Sequence, residues 1–199
     1  MKNNKPTTKI IAGKYKGRVL ELPSLEVTRS SKARLKESLF NVLQFDIIDK
    51  IFVEAFAGSG SIGLEALSRD AKRAYFVELN RNSYNILVKN CKSLDMNSCQ
   101  TMQGDTFTQT PTILNSLKNS EDEIILYVDP PFDYREGMDD IYTKSFKMIE
   151  EIENDNIYIV ILEHVSTLEI PDVLGKFSLD KTKKFGKSSL SYYTYKDEK

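Results

Sequence analysis

Short apolar runs alternate with amphipathic segments from residue 51 to residue 162, and this order constrains the fold more than any other feature. Buried strands separated by amphipathic helices are typical of a parallel sheet covered by helices on both faces. We therefore predict an α/β fold with a mostly parallel sheet. The expected strands are residues 51–56, 74–78, 99–102, 124–129 and 157–162, and the expected helices are residues 62–68, 83–94, 111–119 and 142–151.

The two ends of the chain depart from this alternation. Residues 10–22 predict two short strands around a basic turn, and Ser30 or Ser31 is a candidate cap for the helix that follows. Near the other end, two extended runs flank a glycine turn, which predicts a C-terminal antiparallel hairpin. We expect a small basic N-terminal extension of hairpin and helix at residues 1–45, packed on a main domain at residues 46–199.

Charge is unevenly distributed, although the net charge of the chain is only −1. Residues 1–36 hold ten Lys or Arg against two Glu, a balance of +8, and the other 163 residues hold 18 bases against 27 acids, a balance of −9. This segregation favours contact with a polyanion at one or both ends, with solvated lysines as the alternative. A second basic patch lies at Lys176, Lys181, Lys183, Lys184 and Lys187.

The composition excludes several classes of protein. With 199 residues and 40% hydrophobic content, the chain is long enough for one well-buried domain. Two cysteines and one histidine give neither a disulfide framework nor a zinc-ligand spacing, so no metal is expected. The apolar runs are too short to span a bilayer and the N-terminus lacks an apolar core. We therefore expect no membrane anchor, no signal peptide and a cytoplasmic location.

A glycine-rich turn, G-x-G-x-x-G at residues 58–63, joins the first predicted strand to its helix. Such a turn lets a ligand approach the backbone closely, and the helix N-terminus supplies oriented N–H groups. Glu78 ends the second strand 20 residues after Gly58, where a carboxylate can accept both hydroxyls of a ribose. Asp105 follows the third strand and can accept from an adenine amino group. These positions predict an adenosine-type site at the carboxyl ends of the strands.

Two features favour S-adenosylmethionine over a nicotinamide cofactor at this site. Glu54 lies four positions before the first glycine, where it can face the amino group of a methionine moiety rather than a pyrophosphate. A turn-stabilising role for Glu54 is the alternative. The second feature is the Asp-Pro-Pro-Phe segment after the fourth strand, for which a dehydrogenase has no evident use.

That segment, Asp129-Pro130-Pro131-Phe132, predicts a site that holds an amine. The prolines fix φ at two positions and remove two backbone donors, so the Asp129 carboxylate and the Pro130 carbonyl form a rigid acceptor pair beside an aromatic ring. This arrangement suits a planar base with an exocyclic amino group, which must be unpaired or flipped out to reach the site. An ordinary proline-rich turn is the alternative.

Together, residues 54–60, Glu78, Asp105 and the Asp-Pro-Pro-Phe segment resemble class I S-adenosylmethionine-dependent amino-methyltransferases. Within that class the chain is similar to the bacterial family that methylates the N2 amine of a guanine in 16S ribosomal RNA, and the similarity extends to the basic N-terminal stretch and the terminal hairpin. The resemblance implies a Rossmann-like sheet, an S-adenosylmethionine cofactor, and a monomer acting on 16S ribosomal RNA within a small-subunit particle.

The resemblance and the charge distribution together assign roles to individual residues. The expected catalytic residues are Asp129, Pro130 and Phe132. The expected cofactor-binding residues are Glu54, Phe56, Gly58, Ser59, Gly60, Glu78, Asp105 and Asp129. The expected RNA contacts are Lys14, Lys16, Arg18, Arg29, Lys32, Arg34, Lys36 and Arg135.

Some positions depart from the family pattern. Glu54 stands where aspartate is usual, Phe132 replaces the commoner tyrosine, and Arg29-Ser30-Ser31 replaces Arg-Pro-Thr. A DNA adenine-N6 methyltransferase and a non-catalytic RNA-binding protein with a degenerate cofactor fold are the alternative functions. His164 is a candidate general base, with a structural or surface role as the alternative.

Overall fold

Strands and helices alternate through most of the computed structural model, which describes residues 6–23, 29–131 and 140–195, with the backbone alone for residues 29–32. In chain order the strands are β1 (Thr7–Lys9), β2 (Val19–Glu21), β3 (Ile51–Ala55), β4 (Arg73–Glu78), β5 (Cys99–Gln103), β6 (Ile124–Val128), β7 (Ile157–Val165), β8 (Val173–Leu174), β9 (Phe177–Phe185) and β10 (Ser188–Tyr195). The helices are α1 (Arg29–Val42), α2 (Ser61–Ser68), α3 (Arg81–Leu94), α4 (Thr106–Ser116) and α5 (Ile141–Glu150).

Strands β3 to β10 form one sheet with the order β5-β4-β3-β6-β7-β10-β9-β8. The strands from β5 to β7 in this order are parallel, and β10, β9 and β8 pair antiparallel with their neighbours. The predicted α/β fold, a mostly parallel sheet with a C-terminal antiparallel hairpin, is confirmed. The chain order reverses between the central strands β3 and β6, and open α/β sheets bind ligands at such a reversal.

Helices cover both faces of this sheet. β3 and β6 are buried at every position, as expected for strands enclosed on two sides. On one face Phe52 and Tyr127 pack with apolar side chains of α1, α2 and α3. On the other face Val53 and Leu126 pack with side chains of α4 and α5. None of the helices in the described ranges is long and apolar enough to cross a membrane.

A buried carboxylate on α2, Glu65, holds the N-terminal extension against the main domain. Its oxygens accept hydrogen bonds from the backbone N–H groups of Ile11 (2.8 Å) and Ala12 (3.0 Å) and from Nε of Arg69 (3.0 Å). The ammonium group of Lys36 on α1 lies 3.2 Å from Glu65 Oε2. Because Glu65 is fully buried, these partners replace the water that it loses on folding. One side chain thus joins the extension, α1 and α2.

Gly13 lets the extension lie directly on α2. Its φ of +80° is in the left-handed region, and a Cβ there would come 1.6 Å from the carbonyl oxygen of Ser68. The N–H of Lys14 donates to that same oxygen at 2.7 Å. Ile10 and Leu20 of the extension join the apolar cluster between the sheet and α1–α3. The extension therefore shares the core of the main domain, and the expected domain boundary stays a prediction.

The helices start at other residues than predicted, by one or two residues in α2, α3 and α5 and with larger consequences in α1 and α4. α1 begins at Arg29, so Ser30 and Ser31 lie inside the helix and the expected serine cap is wrong. α4 begins five residues before the expected start, with Pro111 in its interior. An interior proline removes one backbone hydrogen bond, and burial of neighbouring side chains such as Ile113 offsets that loss. β1 and β2 pair as the predicted N-terminal hairpin.

Glu65→Ala should destabilise the protein, because it leaves the buried Lys36 without its counter-charge. Removing one partner of a buried ion pair costs about 3–5 kcal/mol. Urea unfolding measures the loss. Glu123→Ala is the matched control, since it removes only a surface pair with Lys50 and should cost less than about 1 kcal/mol. Equal losses in the two variants would contradict the anchoring role of Glu65.

Candidate active site at the carboxyl edge of the sheet

Four acidic side chains lie at the carboxyl edge of the parallel strands. Glu54 is near the end of β3, Glu78 ends β4, and Asp105 and Asp129 follow β5 and β6. Because β3 pairs in register with both β4 and β6, these strands end level with one another. The structure therefore brings to one edge the carboxylates that the sequence predicts for a common site.

Glu54 contacts the glycine-rich turn from inside the protein. It is 3% exposed, and its Oε2 accepts a hydrogen bond from the Gly63 N–H at 2.8 Å. A Cβ at Gly63 would come 2.5 Å from the ring of Phe76 and 3.0 Å from Glu54 Oε2, so this approach requires glycine. Glu54 thus supports the turn in the structure, in addition to any contact with a ligand.

Burial leaves the Glu54 carboxylate without full charge compensation. Burial raises the pKa of Glu54 to about 8, and the charge of Asp129 adds to the rise. The hydrogen bond from Gly63 and the charge of Lys36 act in the opposite direction. A cation placed beside such a carboxylate favours its ionised form. The site is therefore suited to a positively charged ligand group.

The turn donates its N–H groups to acceptors of the protein. The N–H of Gly58 donates to Glu78 Oε2 at 2.7 Å, and that of Gly60 donates to the Ala57 carbonyl at 2.7 Å. A phosphate-binding turn needs such groups to be free. Phe56 has a φ of +65°, a backbone strain that is common at functional sites. The turn is thus strained, and the N–H groups of Gly58 and Gly60 are not free to bind a phosphate.

Glu78 is held in place by two hydrogen bonds. Besides Gly58, the N–H of Asn80 donates to its carboxylate at 2.6 Å. The side chain is half-buried, so hydroxyl donors can reach it from the edge. The next residue, Leu79, is 66% exposed and offers an apolar surface beside this carboxylate. Sequence pattern alone does not single out Leu79, although an apolar residue directly after a strand-ending acid is a usable signal.

Asp105 lies exposed just before α4, where it accepts a hydrogen bond from the hydroxyl of Thr108 at 3.1 Å. It also borders a cleft of about 600 Å³ between α4 and α5, which Phe107, Met148 and Asn154 line further along. This cleft runs along the helices towards the amino ends of the strands. Of the strand-end carboxylates only Asp105, at one end of the cleft, lines it.

Asp129 and Pro130 follow the central strand β6 directly. The N–H of Asp129 lies 3.5 Å from the carbonyl oxygen of Ala55 at the end of β3. The Asp129 side chain is half-buried and Pro130 is buried. The two therefore have fixed positions next to the glycine turn. Phe132 and Arg135 lie outside the described residues, so the roles expected for them stay predictions.

Tyr127 and Glu163 form a buried polar pair behind Asp129, and His164 is buried on the opposite face of the sheet. The Tyr127 hydroxyl donates to Glu163, and burial together with the nearby carboxylates raises the pKa of Tyr127. His164 lies inside β7, where Nδ1 is 2.9 Å from a backbone carbonyl and Nε2 is 2.8 Å from the Ser191 hydroxyl. Burial lowers the pKa of His164. A neutral histidine with both nitrogens occupied has a structural role.

Most candidate RNA contacts in the described part of the extension are exposed. These are Lys14, Lys16, Arg18 and Arg34. The Arg18 guanidinium also donates to the carbonyl of Ser93 at 2.6 Å, which ties the turn between β1 and β2 to α3. Only the backbone is described for Arg29 and Lys32, so their contacts, like that of Arg135, stay predictions.

Lys36 contradicts the prediction of an RNA contact. It is 5% exposed, and besides the ion pair with Glu65 its Nζ donates to the Lys9 carbonyl at 3.0 Å. Burial lowers its pKa. A side chain enclosed in this way cannot reach a phosphate, so Lys36 anchors α1. The error has a simple cause, because Lys36 lies one turn from Leu39 and shares its buried face.

Asn90 on α3 supports the site although the sequence pattern does not reveal it. It is 2% exposed, and its Nδ2 donates to the carbonyls of Ser59 (2.9 Å) and Glu21 (3.0 Å). Its Oδ1 accepts from the N–H of Glu21 at 3.0 Å. Asn90 therefore connects the glycine turn with β2 of the extension. A polar residue one turn from the buried Leu87 is the only signal in the sequence.

Comparison with known proteins agrees with this geometry. The family model described as Conserved hypothetical protein 95 matches residues 8–194. The chain belongs to this family. The match covers nearly the whole chain and, with the relatives below, confirms the family resemblance seen in the motifs.

Curated relatives carry names that refer to ribosomal RNA. Ribosomal RNA small subunit methyltransferase D of Haemophilus influenzae is 38% identical over 66% of this chain and 67% of its own length. The protein of the same name from Escherichia coli is 35% identical over 62% of this chain and 60% of its own length. The chain thus aligns with about two thirds or less of these relatives. The solved structure of Escherichia coli yhhF has a TM-score of 0.75 and 28% identity, covering 97% of this chain and 100% of that one.

Glu54→Gln should stabilise the ligand-free protein at neutral pH. The folded state keeps the Glu54 proton up to a pKa of about 8, whereas the ordinary value is 4.5. Stability therefore falls as pH rises from 4.5 to 8, and an amide that still accepts from Gly63 avoids this loss. Thermal unfolding between pH 5 and pH 8 should show a gain in Tm that grows with pH. The exposed Glu150→Gln is the control, and a gain at Glu54 that is the same at every pH would contradict the account.

Proposed function

We propose that the chain transfers a methyl group from S-adenosylmethionine to the exocyclic N2 amine of a guanine in 16S ribosomal RNA. The observation that carries the proposal is the glycine motif in which Glu78 binds the Gly58 N–H and Glu54 binds the Gly63 N–H, with Asp129 and Pro130 at the neighbouring strand end. Family membership and the names of the curated relatives support methyl transfer to small-subunit ribosomal RNA.

The residues at the edge fit S-adenosylmethionine better than a dinucleotide. A pyrophosphate would meet two carboxylates, and the N–H groups of Gly58 and Gly60 would not be free to bind it. The ammonium group of the methionine moiety would instead meet the buried Glu54, and the ribose hydroxyls would meet Glu78. Leu79 offers an apolar contact for the adenine ring, and Asp105 can accept from its amino group. When bound, the cofactor supplies an electrophilic methyl group on a sulfonium, which is already a good leaving group.

Asp129 and Pro130 act on the nucleophile. The N2 amine of guanine is a poor nucleophile because its lone pair is delocalised into the ring. Hydrogen bonds to the Asp129 carboxylate and the Pro130 carbonyl favour a pyramidal nitrogen whose lone pair points at the methyl group. Positive charge develops on that nitrogen as the bond forms, so Asp129 stabilises the transition state more than the ground state. The product ammonium loses its proton without a strong base, which agrees with the structural role of His164.

The basic extension supports an RNA substrate over a small molecule. Lys14 and Lys16 are exposed on the turn between β1 and β2 and can reach phosphates. Phe132 would stack on the flipped guanine, an interaction worth about 1–3 kcal/mol. We take the substrate to be RNA within a small-subunit particle in the cytoplasm, and the enzyme to act as a monomer.

Asp129→Asn should lower the rate of methyl transfer about 10²- to 10³-fold, because a neutral amide no longer meets the developing charge. Single-turnover transfer to 16S ribosomal RNA measures the rate, and calorimetric titration should show S-adenosylmethionine affinity largely kept. The surface variant Asp155→Asn is the control. A wild-type rate in Asp129→Asn would contradict the mechanism, and methyladenine formed in DNA by the wild type would favour the DNA methyltransferase.

Charge reversal of the extension, Lys14→Glu with Lys16→Glu, should weaken RNA binding and flatten its salt dependence. Each lost phosphate contact reduces the slope of log affinity against log salt by about 0.7 on single-stranded RNA. Binding titrations at several salt concentrations measure the slope, and cofactor affinity should not change. The control is Lys72→Glu with Lys118→Glu, which makes the same charge change at the amino ends of the strands. It should leave the salt-dependence slope unchanged. If the two double variants change the slope equally, the extension is not the RNA-docking surface.

A further inference from the structure

The C-terminal hairpin brings basic side chains to the same edge of the sheet as Asp129. β10 pairs antiparallel with both β7 and β9, so β9 runs parallel to β7 and ends at the carboxyl edge. Leu190 pairs with Glu163 on one side and with Lys183 on the other. In the parallel pair of β6 and β7, Val128 lies opposite Leu162. Asp129 follows Val128 and Glu163 follows Leu162, so Asp129 and Glu163 are level with each other. Lys183 is therefore level with Asp129.

Three strand spacings separate β6 from β9, a distance of about 14 Å. Lys184 and Lys187 lie at or beyond the level of Lys183, because β9 ends at Phe185 and Lys187 is in the turn. Lys184 and Lys187 are exposed and Lys183 is half-buried. These lysines, which we call the hairpin lysines, thus lie beside the candidate site at a distance that a few nucleotides of an RNA strand can span.

The basic N-terminal helix adjoins the same hairpin. α1 contacts β9, and α1 packs in the apolar cluster that contains Leu190, the register partner of Lys183. Lys184 pairs with Ser189, so its side chain lies on the face of the sheet opposite to that of Lys183. The N-terminal helix α1 and Lys183 therefore lie on the same face of the sheet, although they come from opposite ends of the chain.

Unlike most other lysines of the main domain, the hairpin lysines form no ion pair with a carboxylate in the described part of the chain. Lys176 and Lys181 belong to the same basic patch in sequence, but they pair with Asp155 (2.6 Å) and Asp180 (3.0 Å). Lysines elsewhere in the domain also form ion pairs with carboxylates, namely Lys50, Lys72, Lys118, Lys144 and Lys147. Within the described ranges no carboxylate forms an ion pair with a hairpin lysine. Such uncompensated positive charge is stabilised by contact with a polyanion.

We propose that Lys183, Lys184 and Lys187 form a second phosphate-contacting surface, which binds the RNA backbone beside the target guanine. The inference rests on the proposed function, because it takes RNA as the substrate held at Asp129. The contacts are with phosphates, so they add affinity and fix the orientation of the strand without reading its sequence. Lys176 and Lys181 do not belong to this surface, since each already has a carboxylate partner.

The test is the triple variant K183Q/K184Q/K187Q, assayed for methyl transfer to 16S ribosomal RNA both protein-free and within small-subunit particles. The KM for RNA should rise at least tenfold, and the slope of log affinity against log salt should become shallower by about 2, at about 0.7 for each lost contact. The kcat at saturating RNA and the affinity for S-adenosylmethionine should stay at wild-type values. The variant K183R/K184R/K187R keeps the charge and should keep the wild-type KM, which separates charge from folding.

The charge-matched control is K72Q/K118Q/K147Q, which removes three paired lysines towards the amino edge of the sheet and should leave both KM and slope unchanged. If the hairpin variant behaves like this control, the second surface is overturned and the proposed function stands. If the variant is impaired on intact small subunits but normal on protein-free RNA, the hairpin contacts a ribosomal protein, which also overturns the inference. Failure of the wild type to methylate 16S ribosomal RNA both as protein-free RNA and within small-subunit particles would instead overturn the proposed function.

Discussion

The pairing of β3 with β6 is the constraint on which the rest of the structure depends. Ala55 lies opposite Val128 in this pair, so the glycine turn and the Asp-Pro-Pro segment start level with each other on neighbouring strands. Both strands are buried at every position. A shift of one residue would exchange their side chains between the two helix layers and move Glu54 away from the turn. The site is therefore a direct consequence of the register at the centre of the sheet.

Charge at that edge explains which ligand group fits there. Glu54 and Glu78 accept hydrogen bonds from the N–H groups of Gly63 and Gly58, and Asp129 adds a further acidic group near Glu54. Lys36, a base whose charge acts on Glu54, already forms an ion pair with Glu65. These clustered acidic groups would repel an anion and would be stabilised by a cation. A cofactor with a sulfonium and an ammonium group supplies that positive charge. The same distribution places positive charge outside the pocket, on the extension and the hairpin, where phosphates can reach it.

Periodicity in the sequence is enough to locate the sheet, because the central strands are continuous apolar runs and the helices between them are amphipathic. The motif residues at strand ends follow from the same pattern. Local signals fail where packing outweighs them, as for the serine cap of α1 and for Pro111 inside α4. Lys36 is misassigned because charge alone suggests exposure, whereas its helix face is buried. The role of Asn90 cannot be predicted from the sequence, because it depends on contacts of α3 with β2 and the glycine turn that exist only in the folded protein.

The central claim is that the strand-end carboxylates hold a methyl donor beside a guanine amine of ribosomal RNA. Mass spectrometry of nucleosides from mapped 16S ribosomal RNA fragments, prepared from cells with and without the protein, tests it most directly. The account predicts that one N2-methylguanosine disappears from a single 16S fragment when the protein is absent and returns when it is supplied. An unchanged content of N2-methylguanosine in 16S ribosomal RNA would contradict it.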